Sequence, residues 1–553
     1  MRLDQTSDLW WKNAVIYCLD VETYLDSDGD GIGDFAGLIR QIDYLAGLGV
    51  TCLWLMPFYP TPNRDDGYDI SDYFGVDSRL GNLGDFVDLV RTANDRGIKV
   101  IVDLVLNHTS DEHPWFESAR ASKDAPTRGF YVWRDEPSDE PKGIAFPDKE
   151  TSNWQKDRRT GQYYLHRFYR FQPDLNLANP EVRDEIAKVV GFWLQLGVAG
   201  FRMDAVPFML ELDGIAEQVE GDPHGWLRDL RSFACRRNGD TVLLGEVNAG
   251  LKDLARFFGD EDGDQLNMQF AFLLNQNLWL SLAREDAEPL ESVIRSLPDP
   301  PPDNSWATFL RNHDELSLDK LTAPQREEVF AAFGPDEGMQ LYGHGLRRRT
   351  ASMLGGDGPR LRMAWSLMLS LPGTPVIFMG DEIGMGENLA IPDRMSVRVP
   401  MQWADAENGA FSTASAGDLV RPLTGGAFGP KNVNVAAQRR EPDSLLTWME
   451  RLIRRRRESP EFGWGTSELI ETSEPALFAH RCVWQGSTVV AVHNLSAKSA
   501  KATLELGVDA PRVDDLLEER EHKPSKDGTL DVELDGYGYL WLRVRPEGER
   551  AVS

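Results

Sequence analysis

The stretch KVIVDLVLNH, residues 99–108, runs apolar for most of its length and closes on an amide and a histidine. Aliphatic residues in near-unbroken succession suit a strand covered on both faces; a half-exposed strand alternates instead. Outward from this strand, read as Lys99–Asn107, similar runs recur at Val15–Leu19, Thr51–Pro57, Gly200–Val206, Thr241–Val247, Gln265–Phe272, Trp306–Asp314 and Thr374–Gly380. Helical stretches separate them. Gly37–Leu48 carries Leu38, Ile42 and Leu45, and Glu181–Gly197 opens at Asn179-Pro180, where Asn can cap and Pro suits the first turn. Buried strands alternating with helices predict an α/β fold, a (β/α)8 TIM barrel.

Two regions break the alternation. His108–Ala178, rich in aromatics, Asp and Pro, is too long for an ordinary loop and reads as a small inserted domain after the third strand. After a helix predicted at Leu445–Arg457, the segments Ala476–Trp484, Ser487–Asn494 and Tyr537–Val544 alternate or run apolar between turns, which predicts an all-β C-terminal domain. The expected organisation is barrel over 1–107, insert over 108–178, barrel again over 179–463, and a C-terminal β-sandwich over 464–553. The run Arg454–Arg457 reads as the solvated, dipole-compensating end of its helix rather than as a basic patch.

The 553 residues carry 59 Lys+Arg against 89 Asp+Glu, a formal net charge of −30. Such a surplus repels phosphate backbones and anionic headgroups, which excludes nucleic acid and membrane surface as expected partners. No apolar run reaches the about 18–20 residues that span a bilayer. The start, MRLDQTSDLWWKN, lacks a basic n-region and an apolar h-region, so no secretory signal is read. Cys18, Cys52, Cys235 and Cys482 are scattered without CxxC spacing, which suits reduced thiols and a cytoplasmic location.

Catalysis on this fold sits at the C-terminal ends of the strands. There the sequence places Asn107-His108 after the third strand, Arg202 and Asp204 on the fourth, Glu246 on the fifth, and His313-Asp314 after the seventh. A cap or ion pair would explain any one of these; the same relative position on several strands points to a shared site. The group suits retaining glycoside chemistry, with one ionised carboxylate to attack and one protonated carboxyl to release the leaving oxygen, about 5–5.5 Å apart. Arg202 is expected to lower the Asp204 carboxyl, and the apolar flanks Leu243, Leu244 and Val247 to raise Glu246. Asp314, His108 and His313 would hydrogen-bond sugar hydroxyls. No Ser-His-Asp elbow, P-loop or GxGxxG is evident.

DLVLNH (103–108), GFRMDAV (200–206), GEVN (245–248) and FLRNHD (309–314) resemble, in order, the signature regions of the α-amylase superfamily, and QPDLN (172–176) resembles its further motif. The resemblance is closest to trehalose synthases and their α-glucosidase relatives, through DDGYDISDY (65–73), NHTSDEHPWF (107–116), FYRFQPDLN (168–176), DAVPFMLE (204–211), RNHDELSL (311–318), GLRRR (345–349) and SLPGTPVIFMGDEIGMG (370–386). It covers roughly residues 10–460 and, more weakly, the β tail. It implies Asp204 as nucleophile, Glu246 as acid/base and Asp314 as transition-state stabiliser, with Asp66, Tyr68, His108, Arg202, His313 and Arg398 around the reacting glucose. VRVPMQW stands where relatives usually read VRTPMQW, and GEVN where trehalose synthases commonly read AEAN. Ala205 after the nucleophile resembles enzymes acting on α-1,4 or α-1,1 linkages; relatives specific for α-1,6 bonds usually carry Val. The implied activity is transfer or isomerisation of glucosyl units of maltose or trehalose. A hydrolytic α-glucosidase is the alternative, and a non-catalytic scaffold like the transporter heavy-chain ectodomains a remote one. The expected partner is a small oligosaccharide or glucoside, a homo-oligomer stays open, and no organic cofactor is called for.

DSDGDGIGD, residues 26–34, places carboxylates at positions 1, 3, 5 and 9 with Gly at 6, the first part of a calcium loop, although Gly37 stands at position 12. Asp26, Asp28, Asp30, the Ile32 carbonyl and Asp34 are the expected Ca2+ ligands, in agreement with a first-loop site in the superfamily; a metal-free Asx-rich turn is the alternative. A second Ca2+ set, implied by the resemblance to trehalose synthases, joins Asn107, Asp174 and Glu211 with the carbonyls of Phe208 and Met209. A hydrogen-bonded junction without metal is equally open there. In the insert, Trp115, Phe116, Tyr163, Tyr164, Phe168, Tyr169 and Phe171 divide between core packing and the walls of a sugar pocket.

Overall fold

A computed structural model of the chain describes residues 9–137, 144–146, 148–210, 222–507, 512–518 and 520–545. Eight parallel strands close a barrel: β1 (Ile16–Leu19), β2 (Cys52–Leu55), β3 (Lys99–Leu104), β4 (Gly200–Met203), β5 (Val242–Gly245), β6 (Met268–Phe270), β7 (Ser305–Thr308) and β8 (Thr374–Phe378). Neighbours in sequence are neighbours in the barrel, and β8 pairs back onto β1 at Ile16–Val376. Nearly every strand residue is buried, because side chains fill the barrel interior and helices cover the outside. Gly200 opens β4 at φ 156°, and a Cβ there would lie 2.1 Å from the Val242 carbonyl oxygen, so β4 and β5 can pair only with glycine at that point.

The strands end earlier than the apolar pattern predicts. β3 stops at Leu104 rather than Asn107, β4 at Met203 rather than Val206, and β7 at Thr308 rather than Asp314. Beyond those points the backbone leaves the ladder, so the polar residues that follow turn over the barrel mouth instead of alternating across it. The helix expected over Gly37–Leu48 is two helices, Phe35–Arg40 and Ile42–Leu48, broken at Gln41. Pro180–Gln195 forms as expected, with Asn179 Oδ1 accepting from Glu181 N at 2.9 Å.

Between β3 and β4 lies a small antiparallel sheet of Trp133–Arg134, Tyr163–Leu165 and Trp154–Lys156. A second small sheet, Leu316–Ser317 with Gly345–Leu346 and Gln340–Leu341, follows β7 and was not read from the sequence. At the C-terminus a six-stranded sheet faces a two-stranded one, Ala500–Glu505 paired with Thr529–Leu534. Ser487–Asn494 is buried along almost all of its length because helix Gly358–Ser370 packs nearby: Ser366 Oγ lies 2.9 Å from His493 Nε2. Helix Leu445–Arg457 matches its expected bounds, capped by Ser444. Its last turn is not wholly solvated, however. Arg456 is buried over the Phe462 ring and donates to the Gly373 carbonyl, so one guanidinium of the run ties the helix to the barrel floor.

All four cysteines are free. Among the described residues no helix is long and apolar enough to cross a membrane.

Candidate active site

Arg202, on β4, is buried, and its guanidinium organises the barrel mouth. Nη1 donates to Asp103 Oδ1 at 2.9 Å and to Asp204 Oδ1 at 2.6 Å, and Nη2 donates to Glu246 Oε2 at 2.6 Å. Three carboxylates from three adjacent strands thus meet on one cation. Asp204 follows β4 directly, and Ala205 after it adopts φ 47°, which aims its N–H at Glu246 Oε2, 3.2 Å away.

Burial pushes the Asp204 carboxyl up to about 6; Arg202 opposes this, while Asp103 and Asp314 add to it. Arg202 does act to lower Asp204, as expected, but desolvation and two neighbouring carboxylates outweigh one guanidinium, so the net shift is upward. Burial likewise raises Glu246, to about 7, as its apolar flanks suggested. For Asp314 the balance reverses: burial is outweighed by the guanidiniums of Arg394, Arg398 and Arg202, which together hold it well below the usual carboxylate range.

Asp314 accepts from Arg394 Nη1 at 2.9 Å and from Arg398 Nη2 at 2.7 Å. Arg398 also donates to Asp66 Oδ2 at 2.6 Å and from Nε to the His313 carbonyl at 2.8 Å. Against the effect of burial, Arg421 and Arg398 bring Asp66 down to about 2. Tyr68 lies flat against His313, rings 5.8 Å apart, with its hydroxyl 2.6 Å from His313 Nε2 and 3.1 Å from Asp103 Oδ2. Burial lowers His313 well below its ordinary value and His108 to about 4, so both imidazoles are neutral at pH 7.

These residues surround a cavity of about 350 Å³. Asp204, Glu246, Asp314, Tyr68 and His108 line it. Arg202, His313 and Arg398 stand behind that wall, each bonded to a residue that lines it, and Asp66 stands one bond further back, on Arg398. Of the seven aromatics singled out in the insert, Phe168 alone lines the cavity, with Phe146 and Phe208. Phe116, Trp133 and Tyr164 pack on one another instead, at ring separations of 5.0–5.8 Å, and so form the insert's own core.

Asp103 and Arg394 are among the participants that the sequence reading missed. Asp103 is buried and accepts from Arg202, Tyr68 and Trp54; its place on β3, one strand over from Arg202, was the available signal. Arg394 reaches from its loop to Asp65 Oδ1 at 2.7 Å as well as to Asp314. Gln172 of QPDLN donates to the other oxygen of Asp65 at 2.9 Å. The loop after β2, the insert and the loop after β8 are thereby joined over the mouth. Nothing local in the sequence marks Arg394, because its partners lie far away along the chain.

In the first loop, one ligand atom each from Asp26, Asp28 and Asp34 lies within 4.8 Å of the others. Asp28 accepts the Asp30 N–H, yet the carboxylates of Asp30, Asp26 and Asp34 raise it, and a cation would relieve that repulsion. The donors fit a hard divalent ion. Asp30 is not one of this cluster; its carboxylate accepts from Ile32 N at 2.8 Å. In the second set, Asn107 Nδ2 donates to Asp174 Oδ1 at 3.2 Å, and Arg167 Nε stands 3.8 Å from Asp174 Oδ2. Burial raises Asp174 to about 7. Phe208 and Met209 lie in a short helix, Val206–Leu210, and Glu211 falls outside the described residues.

A family model described as the α-amylase catalytic domain matches residues 20–330 and 337–465, and one described as a sucrose hydrolase-like C-terminal domain matches 486–543. A trehalose synthase of Pimelobacter sp. (strain R48) is 39% identical over 97% of this chain and 96% of its own length. The trehalose synthase of Thermus thermophilus is 41% identical over 97% of this chain but 56% of its own length. Among solved structures, a trehalulose synthase superposes with TM-score 0.75 at 28% identity, covering 97% of this chain and 100% of that one.

Proposed function

This chain belongs to the α-amylase family, and on that premise we propose that it interconverts maltose and trehalose by retaining transfer of a glucosyl unit. One observation carries the chemistry: a single guanidinium, Arg202, holds Asp204 and Glu246 together at the base of a small cavity. That shared contact keeps the two carboxyl groups close, as the about 5–5.5 Å separation of a retaining pair requires.

In this reading Asp204 attacks the anomeric carbon while protonated Glu246 gives its proton to the departing glycosidic oxygen. The products of this step are a glucosyl ester on Asp204 and free glucose. Glu246, now ionised, removes the proton from the anomeric hydroxyl of that glucose after it has turned in the pocket. Its oxygen then attacks the glucosyl carbon, releasing Asp204 and forming the α-1,1 bond. Asp314, kept ionised by Arg394 and Arg398, accepts from sugar hydroxyls as positive charge develops on the ring. Neutral His108 gives its one N–H, on Nε2, to the Tyr68 carbonyl at 3.0 Å and accepts from Asn107 Nδ2 on Nδ1, so it holds Tyr68 in the cavity wall without adding a positive charge beside that ring.

The outcome depends on retaining the released glucose and excluding water. The Arg394 bridge between Asp65 and Asp314 supports such retention, as does a cavity at the small end of ligand pockets, suited to a disaccharide rather than a polymer. The near-full-length identity to trehalose synthases supports the same substrate pair. A calcium ion held by Asp26, Asp28 and Asp34 would stiffen the loop after β1, whereas at the Asn107–Asp174 junction Arg167 supplies the positive charge.

Incubation with maltose followed by NMR tests the reading. Trehalose is the expected product; glucose alone assigns a hydrolytic α-glucosidase. Glu246→Gln is expected to slow kcat on maltose by about 10²–10⁴-fold, and wild-type turnover would remove Glu246 from the mechanism.

A further inference from the structure

Away from the sugar pocket, cations gather where helix Leu445–Arg457 meets the C-terminal sheet. A groove of about 740 Å³ there is lined by Arg362, Trp448, Arg451, Arg454 and Tyr539, with Glu458 and Glu518 at its sides. None of these residues lines the cavity of the candidate active site.

Among the described residues the two acids that line the groove are already engaged. Arg455 Nη1 lies 2.9 Å from Glu458 Oε2, and Arg520 Nη1 lies 3.0 Å from Glu518 Oε2. Among the described residues Arg451 and Arg454 enter no ion pair, although both are exposed and Glu450 lies in the field of Arg454. Arg362 donates to the Asp443 carbonyl and lies over the Trp448 ring, 6.0 Å from its centroid. Arg362 and Arg451 both bear on the Tyr539 phenol, which burial nonetheless raises to about 12. Trp448 and Tyr539 meet edge to face at 5.9 Å.

Three guanidiniums that face one groove and, among the described residues, form no ion pair are unexpected in a chain whose acids exceed its bases, 89 to 59. Helix-dipole compensation accounts for Arg454 in the last turn but not for Arg451, half-way along the helix, nor for Arg362, which belongs to another element. Planar, multidentate, permanently charged donors match the oxygens of a phosphoryl group, and an aromatic floor beside them offers a surface to a ring. The volume falls within the range of small-molecule sites.

The geometry points to a second ligand site, one that takes a phosphorylated, ring-bearing metabolite: a sugar phosphate or a nucleotide. Arg451 and Arg454 hold the phosphoryl oxygens, Arg362 closes from the side, and the ring lies against Trp448 and Tyr539.

Calorimetric titration of the full chain with inorganic phosphate, glucose 6-phosphate and ATP tests the site. Saturable, salt-sensitive binding of one ester, tighter than that of inorganic phosphate, is expected, and which ester binds distinguishes a sugar phosphate from a nucleotide. R451Q/R454Q is expected to weaken that binding by about a hundredfold, since each of the two lost charged hydrogen bonds removes roughly a factor of ten. The same variant keeps wild-type turnover of maltose without the ester, which shows that it folds. Absence of saturable binding for all three probes, as when the groove serves an acidic protein segment, overturns the proposal. So does binding that R451Q/R454Q leaves unchanged.

Discussion

Arg202 Nη2 lies 2.6 Å from Glu246 Oε2, yet the Glu246 carboxyl is pushed up to about 7. Proximity to a guanidinium does not keep a carboxyl acidic when that guanidinium is shared. Arg202 serves Asp103 and Asp204 as well, so burial and the neighbouring carboxylates prevail at Glu246. The trio, two buried carboxylates and the half-buried Glu246, holds more negative charge than one cation offsets, which favours keeping a proton in the site at neutral pH.

A narrow bell-shaped pH profile follows. In the proposed mechanism Asp204 takes up a proton below about 6 and can no longer attack, and Glu246 loses above about 7 the proton it would donate. kcat/KM for maltose is expected to peak between these values, with the two limbs belonging to the coupled pair rather than to either residue alone. A flat profile from pH 5 to 9 would contradict the assignment.

Asp103→Asn removes one of the negative charges that raise Asp204. The acid limb of the kcat/KM profile is expected to move down by roughly one pH unit. Thermal stability falls as well, because buried Arg202 loses one of its charged partners. An unmoved limb in a folded variant would show that Asp103 does not act on Asp204.

Arg394→Ala cuts the link from Asp65 to Asp314 over the mouth. Water then competes with the retained glucose, so the ratio of glucose to trehalose released from maltose is expected to rise severalfold while maltose is still consumed. NMR of the product mixture measures this directly. An unchanged ratio would place the seal elsewhere, with Phe146 and Phe168 the next candidates on the cavity wall.

Calcium added to chelator-treated protein is expected to raise Tm, since an ion bound only by the folded chain at a hundred times its Kd contributes about 2.7 kcal/mol. Asp28→Asn is expected to blunt that rise without touching the barrel mouth, because Asp28 belongs to the loop cluster. A Tm indifferent to calcium in the wild-type chain would leave Asp26, Asp28 and Asp34 as a metal-free turn.

Residues on strand ends were the legible part of the site. Asp204, Glu246 and His313 follow apolar runs whose direction the sequence displays, so their meeting at one mouth is legible from the chain alone. Arg394, Phe146 and Arg421 could not be found that way. Arg421 reaches Asp66 and Asp20 across more than 350 positions of chain, and no local pattern reports such a partner. The Arg454–Arg457 run shows the same limit. Its composition announced charge, but only packing decided that Arg456 would be buried beneath Phe462 while Arg454 faces an open groove.

By itself the sequence determined the barrel, its insert after β3 and its all-β tail, since hydrophobic period and element order are properties of neighbouring residues. It also placed the carboxylates of the mouth, because a strand end is a local feature. Tertiary structure alone decided how those carboxylates are charged. Desolvation depends on everything packed around a group, and one shared guanidinium cannot be divided among three acids until their distances are known. Asp204 is where the two levels part: Arg202, two residues away, predicted a lowered carboxyl, and burial beside Asp103 and Asp314 raised it to about 6.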